Sequence, residues 1–378
     1  MDTVKIDASE IQVGKALTWA VYDERGRLLL QKGELISSER QPGVLFEKGL
    51  YRSLKDTPVT ASQVKSRPTG EQNPFQQIQS LTERAAIVFT AISQAGSETQ
   101  ARLFDLCEDI QDLCERDSDA VLGAIHLAHE TRAGYVHIGR QIHMAILVEL
   151  VTRRIGLDAT TRRSVDAAAL TCNIGMANIA EALLNQTGKL SDEQKAIIQG
   201  HPKLGVSLLQ KAGIADTVWL GCVAQHHERL DGTGYPQGLK GEAILREAKV
   251  ITMAEVYAAM VSPRSYRDSM EAKDALRELF MQRSVQIDEQ LAAAFIKELG
   301  IYPPGSFVTL ASGETGIVVK RARDAGAPTV LAVLSPRGGP YERPMPRDCR
   351  VDMYKIKSAR VKEATMPYPY ARLWGFDE

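Results

Sequence analysis

The chain has 378 residues, of which 44% are hydrophobic and 25% are charged, and its net charge is −1. At about 100–200 residues per domain, this length predicts two to four domains of ordinary globular composition. Because 46 Lys and Arg residues are balanced by 47 Asp and Glu residues, the composition argues against a nucleic-acid-binding or membrane-surface protein.

The N-terminal residues 1–54 are predicted to form a small β-rich domain. Apolar runs at 17–22 and 28–30 flank a Gly-containing turn, a pattern typical of a β-hairpin. Residues 55–75 are rich in Pro, Thr, Ser and Gln and have almost no apolar periodicity. We therefore predict that this stretch is a linker.

Helical periodicity begins at about residue 76. Ile78, Leu81, Ala85 and Val88 follow the spacing of one helix face, and Ser191-Asp-Glu-Gln194 has the pattern of a capping box before another helix. This region divides into a helical lead-in at 76–134 and a helical domain at 135–300.

The C-terminal residues 301–378 lack the helical periodicity and are predicted to be β-rich. Runs rich in Val, Ile, Leu and Thr occur at 307–310, 316–320 and 329–334, with turn residues between them. The predicted fold class is therefore mainly α: a central helical bundle flanked by small β-rich N-terminal and C-terminal segments.

Neither the start of the chain nor its middle predicts export or membrane insertion. The opening MDTVKIDASE lacks a basic region followed by an apolar core. The uncharged stretch 167–180 is shorter than the roughly 20 residues of a membrane-spanning helix. Five cysteines without a Cys-x-x-Cys pair are typical of reduced thiols. We expect a cytoplasmic protein.

The densest chemical signal is the segment 225–236, QHHERLDGTGYP. Adjacent histidines such as His226 and His227 suit ligands to one metal or to two neighbouring metals. The glycines that follow permit positive φ in a turn. This turn ends with the aromatic Tyr235 and the conformationally restricted Pro236. Upstream, His201 is predicted to lie near a helix start, because the first helical turn accepts the proline that follows it.

Four segments occur in the order and spacing of an HD-GYP domain, which the chain resembles over about residues 135–300. They are LTCNIG at 170–175, HPxxG at 201–205, HHExxDGxGYP at 226–236 and RSYR at 264–267. HD-GYP proteins are a branch of the HD metal-phosphohydrolases. The resemblance implies a helical fold and hydrolysis of the bacterial messenger cyclic di-GMP at two or three metals, often iron or manganese.

The departures from this family change the expectation. The family's His-Asp pair falls on Cys172 and Asn173, and Asn cannot supply the negative charge with which the Asp bridges metals. The family's phosphate-binding Lys falls on Met176. The remaining acidic and histidine positions of the family fall on or near Val136, Arg140, Glu255 and Ala258.

The surviving set of predicted metal ligands is His201, His226, His227 and Glu255, which offers three neutral nitrogens and one carboxylate. Two-metal hydrolysis needs ions about 3.5–4 Å apart, and unpaired charge in a partly buried site is costly. We therefore predict that the set holds at most one divalent ion (Fe, Mn or Mg). Arg140 would add a permanent positive charge, and Cys172 is either a soft ligand or a small buried residue.

The resemblance also implies ligand-binding and partner-binding residues. Arg264 and Arg267 stand where family members contact the phosphates of the ligand, a role that suits arginine, although solvated loop cations are the alternative. Residues Gly234, Tyr235 and Pro236 stand where the family contacts diguanylate cyclase (GGDEF) domains.

Three hypotheses follow. The first, which the charge count favours, is a catalytically inactive signalling protein that binds cyclic di-GMP, a related nucleotide or a partner such as a GGDEF cyclase. The second is a metal-dependent cyclic di-GMP phosphodiesterase with a reduced metal site. The third is a scaffold that binds no nucleotide. None predicts a nucleic-acid or membrane partner, and all leave a homodimer open.

Overall fold

The computed structural model describes residues 3–5, 15–17, 19–23, 27–35, 51–53, 73–93, 98–127, 135–262, 269–283, 285–322, 327–360 and 369–376. The chain divides into two compact units. One comprises residues 72–305, and the other combines residues 1–71 with residues 306–378. The predicted linker at 55–75 lies almost entirely outside the described residues.

The unit 72–305 is built from α-helices, which confirms the predicted central bundle. In chain order they are α1 (Pro74–Ser93), α2 (Thr99–Leu127), α3 (Val136–Arg154), α4 (Ala159–Thr171), α5 (Ala177–Asn185), α6 (Asp192–Lys211), α7 (Thr217–Gln225), α8 (Arg246–Val261), α9 (Ala272–Met281) and α10 (Glu289–Leu299).

Helix α3 is the centre of this unit and packs against α2, α4 and α8. Its side chains from Gln141 to Thr152 are all buried, as expected for a helix surrounded by other helices. The predicted face of α1 is confirmed, since Leu81, Ala85 and Val88 are buried in the same core.

Helix α6 begins at the predicted capping box, in which Ser191 and Gln194 exchange side-chain-to-backbone hydrogen bonds. The prediction that His201 lies near a helix start is wrong, because α6 runs unbroken through Pro202 to Lys211. A proline inside a helix cannot donate to the carbonyl four residues earlier. In α6 that carbonyl belongs to Ile198, and His201 Nδ1 lies 2.6 Å from it.

The stretch Ala159–Asn185 is long and apolar enough, by length and composition alone, to cross a membrane. The core helix of a soluble protein passes the same test, so this is weak evidence. In the structure the stretch comprises α4, a short 3-10 helix (Ile174–Met176) and α5. Residues 164–171 of α4 are buried.

The second unit contains two antiparallel sheets. In the N-terminal sheet the strand order is β1 (Thr3–Lys5), β4 (Tyr51–Ser53), β2 (Val21–Tyr22) and β3 (Leu28–Leu30). The pairing of β2 with β3 confirms the predicted hairpin. In the C-terminal sheet the order is β8 (Pro340–Asp348), β7 (Thr329–Leu334), β6 (Thr315–Lys320), β5 (Phe307–Leu310) and β9 (Ile356–Arg360), which confirms the predicted C-terminal β-rich segment.

Candidate metal centre

Three histidines from two helix regions converge in the unit 72–305. His201 projects from the middle of α6, His226 caps the C-terminus of α7 and His227 follows it directly. One ring nitrogen from each lies within 4.8 Å of those of the other two. The structure therefore brings together the three predicted histidine ligands.

Backbone carbonyls fix the tautomer of two of these rings. His201 Nδ1 lies 2.6 Å from the carbonyl of Ile198, and His226 Nδ1 lies 2.8 Å from the carbonyl of Val223. A carbonyl can only accept, so each Nδ1 carries the proton and donates. The carbonyl of Ile198 is available because of Pro202, and that of Val223 because it lies in the last turn of α7.

The other nitrogens of these two rings then face each other as acceptors. His201 Nε2 and His226 Nε2 are 3.0 Å apart, and in the neutral rings neither carries a proton, because each Nδ1 does. Two lone pairs at this distance repel unless a cation lies between them. A metal that binds each imidazole nitrogen at about 2.0–2.1 Å fits this spacing, and a carbonyl on the opposite nitrogen is the usual support for such a ligand.

Burial keeps the histidines uncharged at neutral pH. It lowers the pKa of His201 to about 4 and that of His226 to about 3, in each case assisted by a neighbouring histidine. Burial also lowers the pKa of His227. Since metal ligation requires neutral imidazole, the three rings are ready to bind a cation at pH 7.

A carboxylate completes the cluster. Glu255, in α8, places Oε2 3.5 Å from His227 Nδ1 and accepts a 3.0 Å hydrogen bond on Oε1 from Asn173 Nδ2. Burial alone would raise the pKa of Glu255, but His227, His226, Arg140 and this hydrogen bond outweigh it and lower that pKa to about 2. Because the histidines are neutral at pH 7, Arg140 is the permanent positive charge among these neighbours.

Asn173 lies beside this carboxylate and is nine-tenths buried, with 8% of its surface exposed. Its amide donates to Glu255 and to Cys172 Sγ, while its Oδ1 has no hydrogen-bond partner among the described residues. Asn173, which stands at the family's Asp position, thus joins a neutral amide to the carboxylate anion of Glu255. Among the described residues, Glu255 is the carboxylate in direct contact with the histidine cluster.

Two glycines let the segment that carries Asn173 approach α6 closely. A Cβ on Gly175 would lie 2.2 Å from the backbone oxygen of His201, and a Cβ on Gly205 would meet Val223 and Ile174 at 3.3 and 3.5 Å. This contact explains why glycine occupies both the LTCNIG and HPxxG segments. It fixes the position of His201 relative to Asn173.

Substitution Gly175→Ala is expected to destabilise the protein by about 1–3 kcal/mol, because the added methyl group overlaps backbone rather than a movable side chain. It should also weaken metal binding, since α6 must shift at His201. The matched control is Gly200→Ala, one residue before His201, where an added Cβ has open space around it and alanine favours helix. Thermal unfolding and metal titration of both variants test this, and an unchanged Gly175→Ala protein would contradict it.

The cluster opens onto a cavity of about 500 Å³. One part of its wall is polar and includes Arg140, Asn173, His227, Tyr235 and Glu255. The rest is largely apolar and comes from α5 and its surroundings. The apolar lining includes Phe89, Ile174, Met176, Leu183, Leu184, Leu190 and Ile198. The cavity is suited to a ligand with both charged and aromatic parts.

The other predicted positions have different surroundings. Met176 lines the cavity. Cys172 is fully buried, with Sγ 3.7 Å from Gln141 Oε1, and burial raises its thiol pKa well above the usual range. Since the thiolate is the metal-binding form, this favours the small buried residue over the soft ligand. Ala258 is buried in the core. Arg264 and Arg267 lie outside the described residues.

The segment 234–236 faces the histidines as well as the surface. The Tyr235 ring stacks on His227 with centroids 4.6 Å apart. A Cβ on Gly234 would lie 2.5 Å from backbone atoms of residues 227–229. Glu228 holds the following loop by accepting from the backbone of Gln237 and Leu239. Tyr235 is therefore a wall of the cavity, a role that the sequence analysis did not assign.

His137 is a cavity residue that the sequence analysis missed. It lies on α3 between the assigned positions Val136 and Arg140, lines the cavity, and places Nδ1 3.4 Å from Glu181 Oε2. His137 and Arg140 are three residues apart and share a helix face. This spacing is the signal that could have identified it.

Comparisons with known proteins cover the helical unit that carries these residues. Residues 124–291 match the family model described as HD domain. Cyclic di-GMP phosphodiesterase PA4108 of Pseudomonas aeruginosa is 31% identical over 238 residues, which are 63% of this chain and 56% of that protein. The cyclic di-GMP phosphodiesterase response regulator RpfG of Xanthomonas campestris pv. campestris is 30% identical over 210 residues, 55% of this chain and 54% of that protein.

A third relative, 3'3'-cGAMP-specific phosphodiesterase 3 of Vibrio cholerae, is 30% identical over 165 residues, 44% of this chain and 36% of that protein. The chain thus spans about half the length, or less, of these curated relatives. The solved structure of Bd1817, a HDG"Y"P protein from Bdellovibrio bacteriovorus, shares the fold with a TM-score of 0.51 at 17% identity, covering 78% of this chain and 98% of that one. Residues 124–291 of this chain thus match the HD domain model, and the chain is similar in sequence to proteins named as cyclic dinucleotide phosphodiesterases.

Proposed function

We propose that this chain is a metal-dependent phosphodiesterase that acts on a cyclic dinucleotide with one divalent ion in place of two. The observation that carries this proposal is the pair of unprotonated Nε2 atoms of His201 and His226, 3.0 Å apart beside His227. The relatives named as cyclic di-GMP and 3'3'-cGAMP phosphodiesterases support the substrate class. A cytoplasmic location is part of the proposal.

The donor set favours iron or manganese over magnesium. Three imidazole nitrogens and one carboxylate suit borderline transition metals, whereas Mg²⁺ prefers oxygen ligands and keeps its waters. His201, His226 and His227 would hold the ion, with Glu255 beside them. The ion would supply Lewis-acid polarisation of a phosphoryl oxygen.

The residues around the histidines would orient the substrate. Arg140 and Arg229 line the cavity with positive charge, and Phe89 and the leucines near α5 offer apolar contacts to the bases. Hydrolysis adds one water across one phosphodiester P–O bond, so that the ring opens to a linear dinucleotide. With one ion, the attacking and leaving oxygens lack the paired clamp of a two-metal site, and turnover should be slow.

The test uses the full chain, purified without chelator and loaded with Fe²⁺, Mn²⁺, Mg²⁺ or Zn²⁺ in parallel. We expect about one tightly bound ion per chain and slow conversion of cyclic di-GMP or 3'3'-cGAMP to the linear product, measured by chromatography. Conversion should be absent in His201→Ala. Ligand binding without any conversion would overturn the enzymatic part of this proposal.

A second candidate is the catalytically inactive signalling protein. It is favoured by Asn173, which contacts Glu255 as a neutral amide where the family has a metal-bridging Asp. In that case calorimetry would show nucleotide binding in the presence and absence of metal, and no product would form with any ion.

A GGDEF domain is the partner proposed with this candidate, through residues 234–236. Pro236 is half-buried and offers part of a contact surface beside Tyr235. Binding of a purified GGDEF domain should weaken in Pro236→Ala while metal content stays the same. Equal binding of the GGDEF domain by the wild type and by Pro236→Ala would show that residues 234–236 are not part of the contact.

A further inference from the structure

The charged groups of the cavity are few. Among the described residues that line it, Arg140 and Arg229 carry positive charge and Glu255 carries negative charge, while His227 is neutral at pH 7 because burial lowers its pKa. Met176 also lines the cavity and carries no charge, so Arg140 and Arg229 are the permanent cations on the described part of the wall.

The two arginines differ in location. Arg229 is exposed, which places its charge at the open side of the cavity. Arg140 is only partly exposed and lies on α3. Its Nε atom is buried, and its charge acts on Glu255 and on Cys172. Arg140 therefore lies at the inner wall, beside the carboxylate and the histidine cluster.

We propose that Arg140 is the inner phosphate-binding residue of this cavity. It supplies the positive charge that the second metal ion supplies in a two-metal hydrolase. This inference rests on the proposed function. A guanidinium presents a planar pair of N–H donors that fits two oxygens of a phosphodiester. In the proposed complex, a divalent ion at the histidine cluster would balance Glu255, and the guanidinium would contact the anionic ligand.

The competing role for Arg140 is to serve as a counterion for Glu255. The two roles predict different double-mutant behaviour. If Arg140 only balances Glu255, the effect of removing its charge should disappear once Glu255 is replaced by neutral Gln. If Arg140 contacts phosphate, the loss should persist in the Glu255→Gln background.

The experiment is titration calorimetry of the Mn²⁺-loaded full chain with cyclic di-GMP. Arg140→Gln is expected to raise the Kd about 10- to 100-fold, the usual range for a lost charge-assisted hydrogen-bond pair. Arg140→Lys, which keeps the charge but not the planar fork, should lie between. The matched control is Arg153→Gln on the same helix, where the guanidinium faces Glu115 at 3.4 Å and the Kd should not change.

Two further readouts separate the outcomes. Metal content should stay at about one ion per chain in Arg140→Gln, and guanosine, which has no phosphate, should bind both proteins alike. An unchanged Kd in Arg140→Gln, or a loss that vanishes in Glu255→Gln, would overturn the role of Arg140 alone. No binding of cyclic di-GMP by the wild-type protein would instead overturn the proposed function, and this inference with it.

Discussion

A His226→Ala variant is expected to lose its bound divalent ion and any hydrolysis that depends on it. His226 is fully buried, its Nδ1 is held by the carbonyl of Val223, and its Nε2 faces His201 Nε2. Removing one of three converging nitrogens should lower metal affinity on the order of 100-fold or more, because loss of a mere supporting contact already costs about 10- to 100-fold. Elemental analysis after gel filtration measures this directly.

The same variant also tests how metal removal affects the unfolding temperature. In the wild type, chelation leaves two unprotonated nitrogens 3.0 Å apart, which costs stability. His226→Ala removes that repulsion, so chelator should lower the unfolding temperature of the wild type but not that of the variant. A variant that still holds a full equivalent of metal, or that responds to chelator like the wild type, would contradict the three-histidine centre.

Local patterns in the sequence predicted much of the fold because they depend on near neighbours. The apolar spacing of α1, the capping box at Ser191 and the hairpin of β2 and β3 are all confirmed. The interpretation of Pro202 failed because a local preference was applied to it. Proline does favour the first helical turn, but here the carbonyl that it leaves free accepts from His201, a contact that compensates part of the cost.

The site was predicted only in part. The resemblance to the HD-GYP family identified His201, His226, His227 and Glu255, and the structure brings these four together. It could not reveal that helix ends and a proline set the tautomers, because those contacts depend on how α6 and α7 are oriented. Nor could it assign Tyr235 to the cavity wall. His137 was missed because the family register on α3 was placed on its neighbours, where no residue of metal-binding type stands.

The largest gain of function is expected from Asn173→Asp, which keeps the size of the side chain and adds one negative charge. Asn173 now donates to Glu255 at 3.0 Å, a contact that two carboxylates cannot make without a shared proton or a cation. With two acids and three histidines, the site would gain the charge that a second divalent ion requires. We expect metal content to rise from about one towards two ions per chain and hydrolysis to increase on the order of 10- to 100-fold, as the paired clamp forms.

Without metal, the Asn173→Asp substitution should lower the stability of the protein, whereas with metal it should raise activity. This difference makes the test specific. Without cations, the paired carboxylates should destabilise the variant relative to wild type at pH 7, and the difference should shrink as the pH falls and one carboxyl takes up a proton. Asn185→Asp, at the exposed C-terminal end of α5, adds the same charge on an exposed side chain and should leave the metal content unchanged. If Asn173→Asp binds no more metal than the wild type and unfolds at the same temperature in chelator, then the missing acid at this position does not limit the site, and the single-ion centre must have another cause.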